Sequence, residues 1–253
     1  MKIMSNKFAI LLLCSLGTLP AYAAAPLQPG FVYLKDVDPT IQQDIRYAGY
    51  HNFIGQPIKG YIAAECILTK EAAIALSQVQ TELKKSSLSL KVYDCYRPQM
   101  AVDHFIAWSK DSSQQQTKAE FYPRVNKADV FKLGYVAEKS GHSRGSTIDL
   151  TIVPVPTPTQ EKYVPGQQPL VACFSSYHER YRDNSIDMGT GFDCLDTAAH
   201  ADNHDIPPNA YQNRQLLLAA MQKQGFVPYS KEWWHFTLKD EPYPNTYFNF
   251  VVK

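Results

Sequence analysis

Beyond its first residues, this sequence has no apolar run approaching the roughly 20 residues that a membrane-crossing helix requires, so no transmembrane helix is expected in the body of the chain. Neither sign of charge dominates. The 25 Lys and Arg residues stand against 24 Asp and Glu, a formal net charge of +1. That balance lacks the basic field through which proteins attract nucleic acid, so nucleic acid is not an expected partner. No C-x-x-C pair is present, and a thiolate metal site is therefore not expected. There is no internal repeat and no clean linker between two cores.

What is present is enough for one substantial core, with 45% hydrophobic residues among 253. Lys2 and Lys7 precede an apolar stretch from Phe8 to Leu16, followed by Ala21-Tyr22-Ala23. A basic start, a short apolar segment and an A-x-A site make a secretory signal pattern. The expectation is export, cleavage after Ala23, a mature chain of residues 24–253 in the periplasm, and no membrane anchor once the signal is removed. Without Cys14, four cysteines remain: Cys66, Cys95, Cys173 and Cys194. In an oxidising compartment an even number suggests two disulfides. Three pairings are possible, and proximity in the chain favours Cys66–Cys95 with Cys173–Cys194.

Residues 69–85 place Ala72, Leu76, Val79 and Leu83 on one face and predict a helix with Thr69 as its cap. LKVYDCY at 90–96 reads as a strand, and Pro98 suits the first turn of a following helix. Five prolines between 154 and 169 predict a long exposed loop. A last helix runs from an Asn209 cap to a stop at Gly225. Helices mixed with short strands predict a single α+β domain, a small mixed or antiparallel sheet flanked by helices.

The chemistry-bearing residues fall in three places. In SGHSRGSTIDL, His142 sits in a glycine-broken loop and Asp149 in an alternating strand, on the face opposite Ile148 and Leu150. That pair serves either a structural hydrogen bond or shared metal coordination. In SKEWWHF, Glu232 and His235 lie among large aromatics, where charged groups left unpaired are costly. His142, Asp149 and His235 make a three-donor set that suits a catalytic zinc with one open position. Glu232 then fits a general base acting on water. Because residues three apart on a strand point to opposite faces, Glu232 must sit on a turn or bulge at the strand's start. Arg97, between a strand and a helix, is either a surface ion pair or a cation for a developing oxyanion. His200 and His204 in HADNH lie four apart, but Pro207-Pro208 just beyond them suggest a loop rather than a helical metal pair.

These stretches resemble a known family. SGHSRGSTID matches the S-x-H-x-x-G-x-x-x-D signature of the D-Ala-D-Ala metallopeptidases related to Hedgehog domains. EWWH matches their E-x-x-H element, and YDCYRP the segment carrying their arginine. The likeness is greatest to D-alanyl-D-alanine dipeptidases of the VanX type, and it covers nearly the whole mature chain. The resemblance implies that fold and one zinc ion on His142, Asp149 and His235. It implies Glu232 as base and acid, Arg97 at the oxyanion, and Asp187, Tyr47 and Ser140 around a small D-Ala-D-Ala substrate. Asp187 has a plainer reading, as a loop aspartate capping a turn before Gly189. Two other activities fit the same motifs: a D,D-carboxypeptidase acting on peptidoglycan stems, and a zinc-containing cell-wall binding module without catalysis. The sequence departs from the family pattern at Thr147, often alanine, and at His51, often aspartate; the signal pattern and the cysteines also set it apart.

Overall fold

The computed structural model describes residues 27–253; the expected signal segment lies outside the described residues. Seven strands run in chain order: β1 (Phe31–Tyr33), β2 (Gln42–Gln43), β3 (Ile67–Thr69), β4 (Leu88–Asp94), β5 (Thr147–Pro154), β6 (Phe226–Tyr229) and β7 (Glu232–Leu238). Five of them form one sheet in the order β2-β4-β5-β7-β6, while β1 pairs with β3 alone. β2 runs parallel to β4, and the other neighbours in the large sheet are antiparallel. The helices are α1 (Leu34–Val37), α2 (Lys70–Lys84), α3 (Gln99–Lys110), α4 (Lys118–Phe121) and α5 (Pro208–Lys223). This is the single α+β domain the sequence predicts.

α2 forms because its apolar positions recur at helical spacing. Ala72, Leu76, Val79 and Leu83 are all buried, and the Thr69 hydroxyl accepts the Ala72 N–H at 3.4 Å. α2 packs on β4 and on α5, which packs on β6. α5 begins one residue before the expected Asn209 cap. Pro208 takes its first turn and Pro207 the cap position, because a proline there forfeits only an N–H that has no intrahelical partner and already holds helical φ. Residues 155–169 form no regular element, as the prolines predict. They are pinned across β2: Gln42 donates to the Thr157 hydroxyl at 2.6 Å, Gln160 donates to Asp44 at 2.9 Å, and Tyr163 stacks on His51 with centroids 4.2 Å apart.

Two disulfides close the chain as proximity suggests, Cys66–Cys95 with Cα atoms 5.3 Å apart and Cys173–Cys194 with 5.5 Å. The first ties the segment leading into β3 to the end of β4.

Candidate active site

Three neighbouring strands bring one row of side chains into line. Asp94 on β4 lies opposite Asp149 on β5, and Asp149 lies opposite His235 on β7. Ile148 and Leu150 alternate with Asp149 and are fully buried, so the carboxylate takes the other face, as strand geometry demands. His142 arrives from a single 3-10 turn, Gly141–Arg144, whose start is capped by the Ser140 hydroxyl accepting the His142 N–H at 3.3 Å. That turn ends at Gly145 with φ +87°, and a Cβ there would stand 2.2 Å from the Phe31 ring. Only glycine fits such a position.

The donor atoms of the three residues converge. His142 Nε2 lies 3.3 Å from Asp149 Oδ2, His235 Nδ1 lies 3.1 Å from Asp149 Oδ1, and the two imidazole nitrogens are 3.3 Å apart. Tetrahedral zinc with bonds of about 2.0–2.2 Å spaces its ligand atoms by roughly 3.3–3.6 Å, close to what is seen here. His142 Nδ1 sits 2.7 Å from the Cys95 carbonyl, a hydrogen bond that puts the proton on Nδ1 and leaves Nε2 free to bind a cation. Asp149 Oδ1 is buried without a hydrogen-bond partner. By chemistry and by spacing, the residues fit a divalent ion. Burial alone would raise the pKa of Asp149, yet the His142 and His235 imidazoles hold its carboxyl well below the usual range.

Glu232 opens β7, at a register shift in the β6–β7 hairpin, the irregular start that its spacing from His235 demands. Its Oε2 lies 3.4 Å from His235 Nδ1. Burial, with Asp149 and Asp193 nearby, pushes its carboxyl well above the usual range. Arg97 stands at the β4–α3 junction. It donates through Nε to Asp94 at 2.8 Å, its Nη2 lies 3.4 Å from Asp149, and its guanidinium carbon lies 4.9 Å from the Tyr47 ring centre.

These groups line one cavity of about 230 Å³, with Tyr47, Ser140, Arg97, Asp149, Glu232 and His235 in its wall. Asp187 is not there. Arg180 donates to its carboxylate at 2.6 Å and the Gly189 N–H at 2.8 Å, so it is the turn-capping aspartate, already neutralised by a cation. The carboxylate in the wall is Asp193, six residues on. It accepts from the Tyr47 hydroxyl at 3.1 Å, its other oxygen is buried without a partner, and burial holds its carboxyl well above the usual range. Packing places it: Phe192 is wedged between Tyr93 (centroids 4.5 Å) and Trp234 (5.4 Å), and Trp233 donates to the Thr190 hydroxyl at 2.8 Å. Asp193 also has φ +58°, a conformation that non-glycine residues hold mainly where their surroundings enforce it.

His200 and His204 lie outside this cluster. His204 is exposed beside Asp202, and His200 approaches the Tyr135 hydroxyl at 3.4 Å.

The chain matches the family described as D-ala-D-ala dipeptidase over residues 28–156 and 170–253. It belongs to that peptidase family. Among curated proteins, the D-alanyl-D-alanine dipeptidase of Streptomyces coelicolor is 38% identical over 222 residues, 88% of this chain and 98% of that protein. The protein of the same name from Enterococcus faecalis is 36% identical, covering 89% of this chain and all of its own length. A third, from Escherichia coli, is 32% identical over 82% of this chain and 83% of its own. Membership covers both flanks of the proline-rich segment and omits residues 157–169, the stretch pinned over β2.

Proposed function

We propose that this chain is an exported, zinc-dependent dipeptidase that hydrolyses D-alanyl-D-alanine to two D-alanine molecules. The observation that carries the reading is the pairing, in one small cavity, of a three-donor metal cluster with Asp193, a buried carboxylate whose second oxygen has no partner. The substrate is suggested by the names of the relatives.

One zinc ion would be held by His142, Asp149 and His235. It would supply Lewis acidity for polarising a carbonyl and acidifying a water molecule. Glu232 takes a proton from that water and returns it to the departing amine, the two halves of general base and acid catalysis. Arg97 turns a permanent cation toward the oxygen on which negative charge develops. Asp193, steadied by the Tyr47 hydroxyl, receives the free ammonium group of the dipeptide. Ser140 forms part of the wall and caps the turn that presents His142.

Charge supports the same assignment. Four buried carboxyl groups, Asp94, Asp149, Asp193 and Glu232, surround one permanent cation, Arg97. A dication and an ammonium group neutralise that excess, which is otherwise costly to bury. The cavity lies below the usual range for small-ligand pockets, about 300–1,000 Å³. This favours a dipeptide over a peptidoglycan stem, and Glu232 and Arg97 have no task in a module that only binds.

Export rests on the signal pattern of residues 1–23 and is supported by the two disulfides, which persist in oxidising compartments. Cell fractionation that found the chain in the cytosol with Met1 retained would end that part. For the activity, the decisive assay compares D-Ala-D-Ala, L-Ala-L-Ala and N-acetyl-D-Ala-D-Ala with zinc-loaded protein. Cleavage of the first alone is expected. Equal turnover of the acetylated peptide would remove Asp193 from its role, and no turnover of any substrate would remove the reading.

A further inference from the structure

Arg97 is held in place by a neighbour that takes no part in the chemistry described above. β4 and β5 pair regularly from Leu88 to Val92, and the register then slips so that Asp94 rather than Tyr93 faces Asp149. A bulge of this kind re-aims the side chains beyond it. Here it sends the fully buried Asp94 carboxylate toward the residue three positions further on. Asp94 Oδ2 accepts from Arg97 Nε at 2.8 Å, and Oδ1 accepts from the Tyr61 hydroxyl at 2.5 Å. Both oxygens are therefore engaged. The rings of Tyr47 and Phe105, themselves 5.2 Å apart, cover one side of the guanidinium at 4.9 and 5.1 Å from its central carbon.

We propose that Asp94 is a positioning residue: by occupying the Nε edge of Arg97, it leaves the Nη edge to face the cavity. The inference rests on the hydrolytic reading above and deepens it. A guanidinium has five N–H donors in a fixed planar fork, so fixing one edge and one side fixes where the others point. Without Asp94 the charge remains, but only the longer Nη2 contact to Asp149, at 3.4 Å, is left to direct it. Tyr61 plays the supporting part, keeping the carboxylate from turning away from Arg97. Asp94 Oδ2 also lies 3.5 Å from His142 Nδ1, but that nitrogen is bonded to the Cys95 carbonyl, so the clamp on Arg97 is the shorter and better aligned contact.

The test uses zinc-loaded full-length wild type, Asp94→Ala and Asp94→Asn. Three quantities are measured: kcat and KM on D-Ala-D-Ala, bound zinc by elemental analysis, and calorimetric affinity for a phosphinate analogue of the dipeptide, whose tetrahedral centre mimics the reacting carbon. For Asp94→Ala, kcat and analogue affinity are expected to fall together by about a hundredfold, the scale of losing one oxyanion donor. KM and zinc content should stay near wild type. Asp94→Asn keeps an acceptor for Nε and is expected to lose only about tenfold. Added guanidinium should partly restore Arg97→Ala and fail to restore Arg97→Ala/Asp94→Ala, because the second protein lacks the group that seats it.

Unchanged kcat and analogue affinity in both Asp94 variants would overturn the proposal. So would zinc content falling in step with activity, since Asp94 would then serve the metal cluster through His142. If Asp94→Ala does not fold, Asp94→Asn and the guanidinium comparison in an Arg97→Ala/Asp94→Asn background decide. Wild type that binds zinc but cleaves nothing would sink the hydrolytic reading, while the analogue affinities would still judge Asp94.

Discussion

Glu232 and Asp193 are both buried carboxyls beside Asp149, but they separate by what reaches them. Glu232 contacts His235 of the metal cluster, whereas Asp193 is fastened to Tyr47 and keeps one oxygen free. Replacing Glu232 by Gln removes the proposed proton carrier without removing a donor of the three-residue cluster. The expected result is a loss of kcat of about 10²–10⁴-fold with zinc content unchanged; zinc lost along with activity would place Glu232 among the ligands. Replacing Asp193 by Asn should instead act on binding, raising KM for D-Ala-D-Ala by about tenfold or more and shrinking the preference over the N-acetylated peptide. The two aspartates of DMGTGFD show where sequence reasoning reaches its limit. His142, Asp149, Glu232 and His235 stand in fixed spacings on a turn and two strands, so their meeting was legible. Asp187 and Asp193 lie in an irregular segment with no period. Which of them enters the cavity depends on Arg180 claiming the first and on Phe192 wedging between Tyr93 and Trp234. The residues flanking Asp193, an aromatic and a disulfide cysteine, were the available sign that this end of the motif is the anchored one.

Among the elements, α2 and β5 could be read from the spacing of their apolar residues, α5 from its end signals, and β4 from its apolar run, though β4 ends at Asp94 rather than residue 96. The ends were harder. The cap of α5 moved to Pro207, and the bulge at Tyr93 left no mark in an apolar strand whose residues are buried on both sides. The Cys66–Cys95 bridge works at this scale, fastening the approach to β3 to the end of β4, two residues before Arg97. It closes a sequence separation of 29 residues, for which chain entropy in the unfolded state gives about 3–4 kcal/mol. A Cys66→Ser/Cys95→Ser variant should unfold at a midpoint roughly 10 °C lower, at about 2–4 °C per kcal/mol for a domain of this size. An unchanged midpoint by calorimetry would show that the fold does not depend on the bridge.

Across the whole molecule, buried charge also makes stability depend on pH. Further along β4, Asp183 accepts from Arg46 at 3.0 Å and from the Tyr93 hydroxyl, with Lys91 Nζ at 3.8 Å. Burial opposes ionisation there, but Lys91 and Arg46 hold the Asp183 carboxyl well below its ordinary value. Asp44, shared by the same two cations, is lowered as well. A folded-state value below the unfolded one means stabilisation that is complete above about pH 4–5 and lost as pH falls toward the folded value. The wild-type advantage in denaturant midpoint over Asp183→Asn should therefore be flat near neutrality and shrink below about pH 4. Asp183→Asn should lower the neutral plateau and flatten the acid limb. An acid limb of undiminished slope in that variant would assign the decline to other carboxyls.

The carbonyl that accepts the His142 ring N–H belongs to Cys95, one half of a covalent bridge. The oxidation state of the chain and the aim of its first imidazole are thus mechanically joined. Polypeptide made where thiols stay reduced would carry every correct side chain and still present a poorly aimed ring. The expected outcome is that metal salts alone restore such material less than gentle air oxidation followed by zinc. Equal zinc content in reduced and oxidised preparations, by elemental analysis, would show that the ring keeps its aim without the bridge.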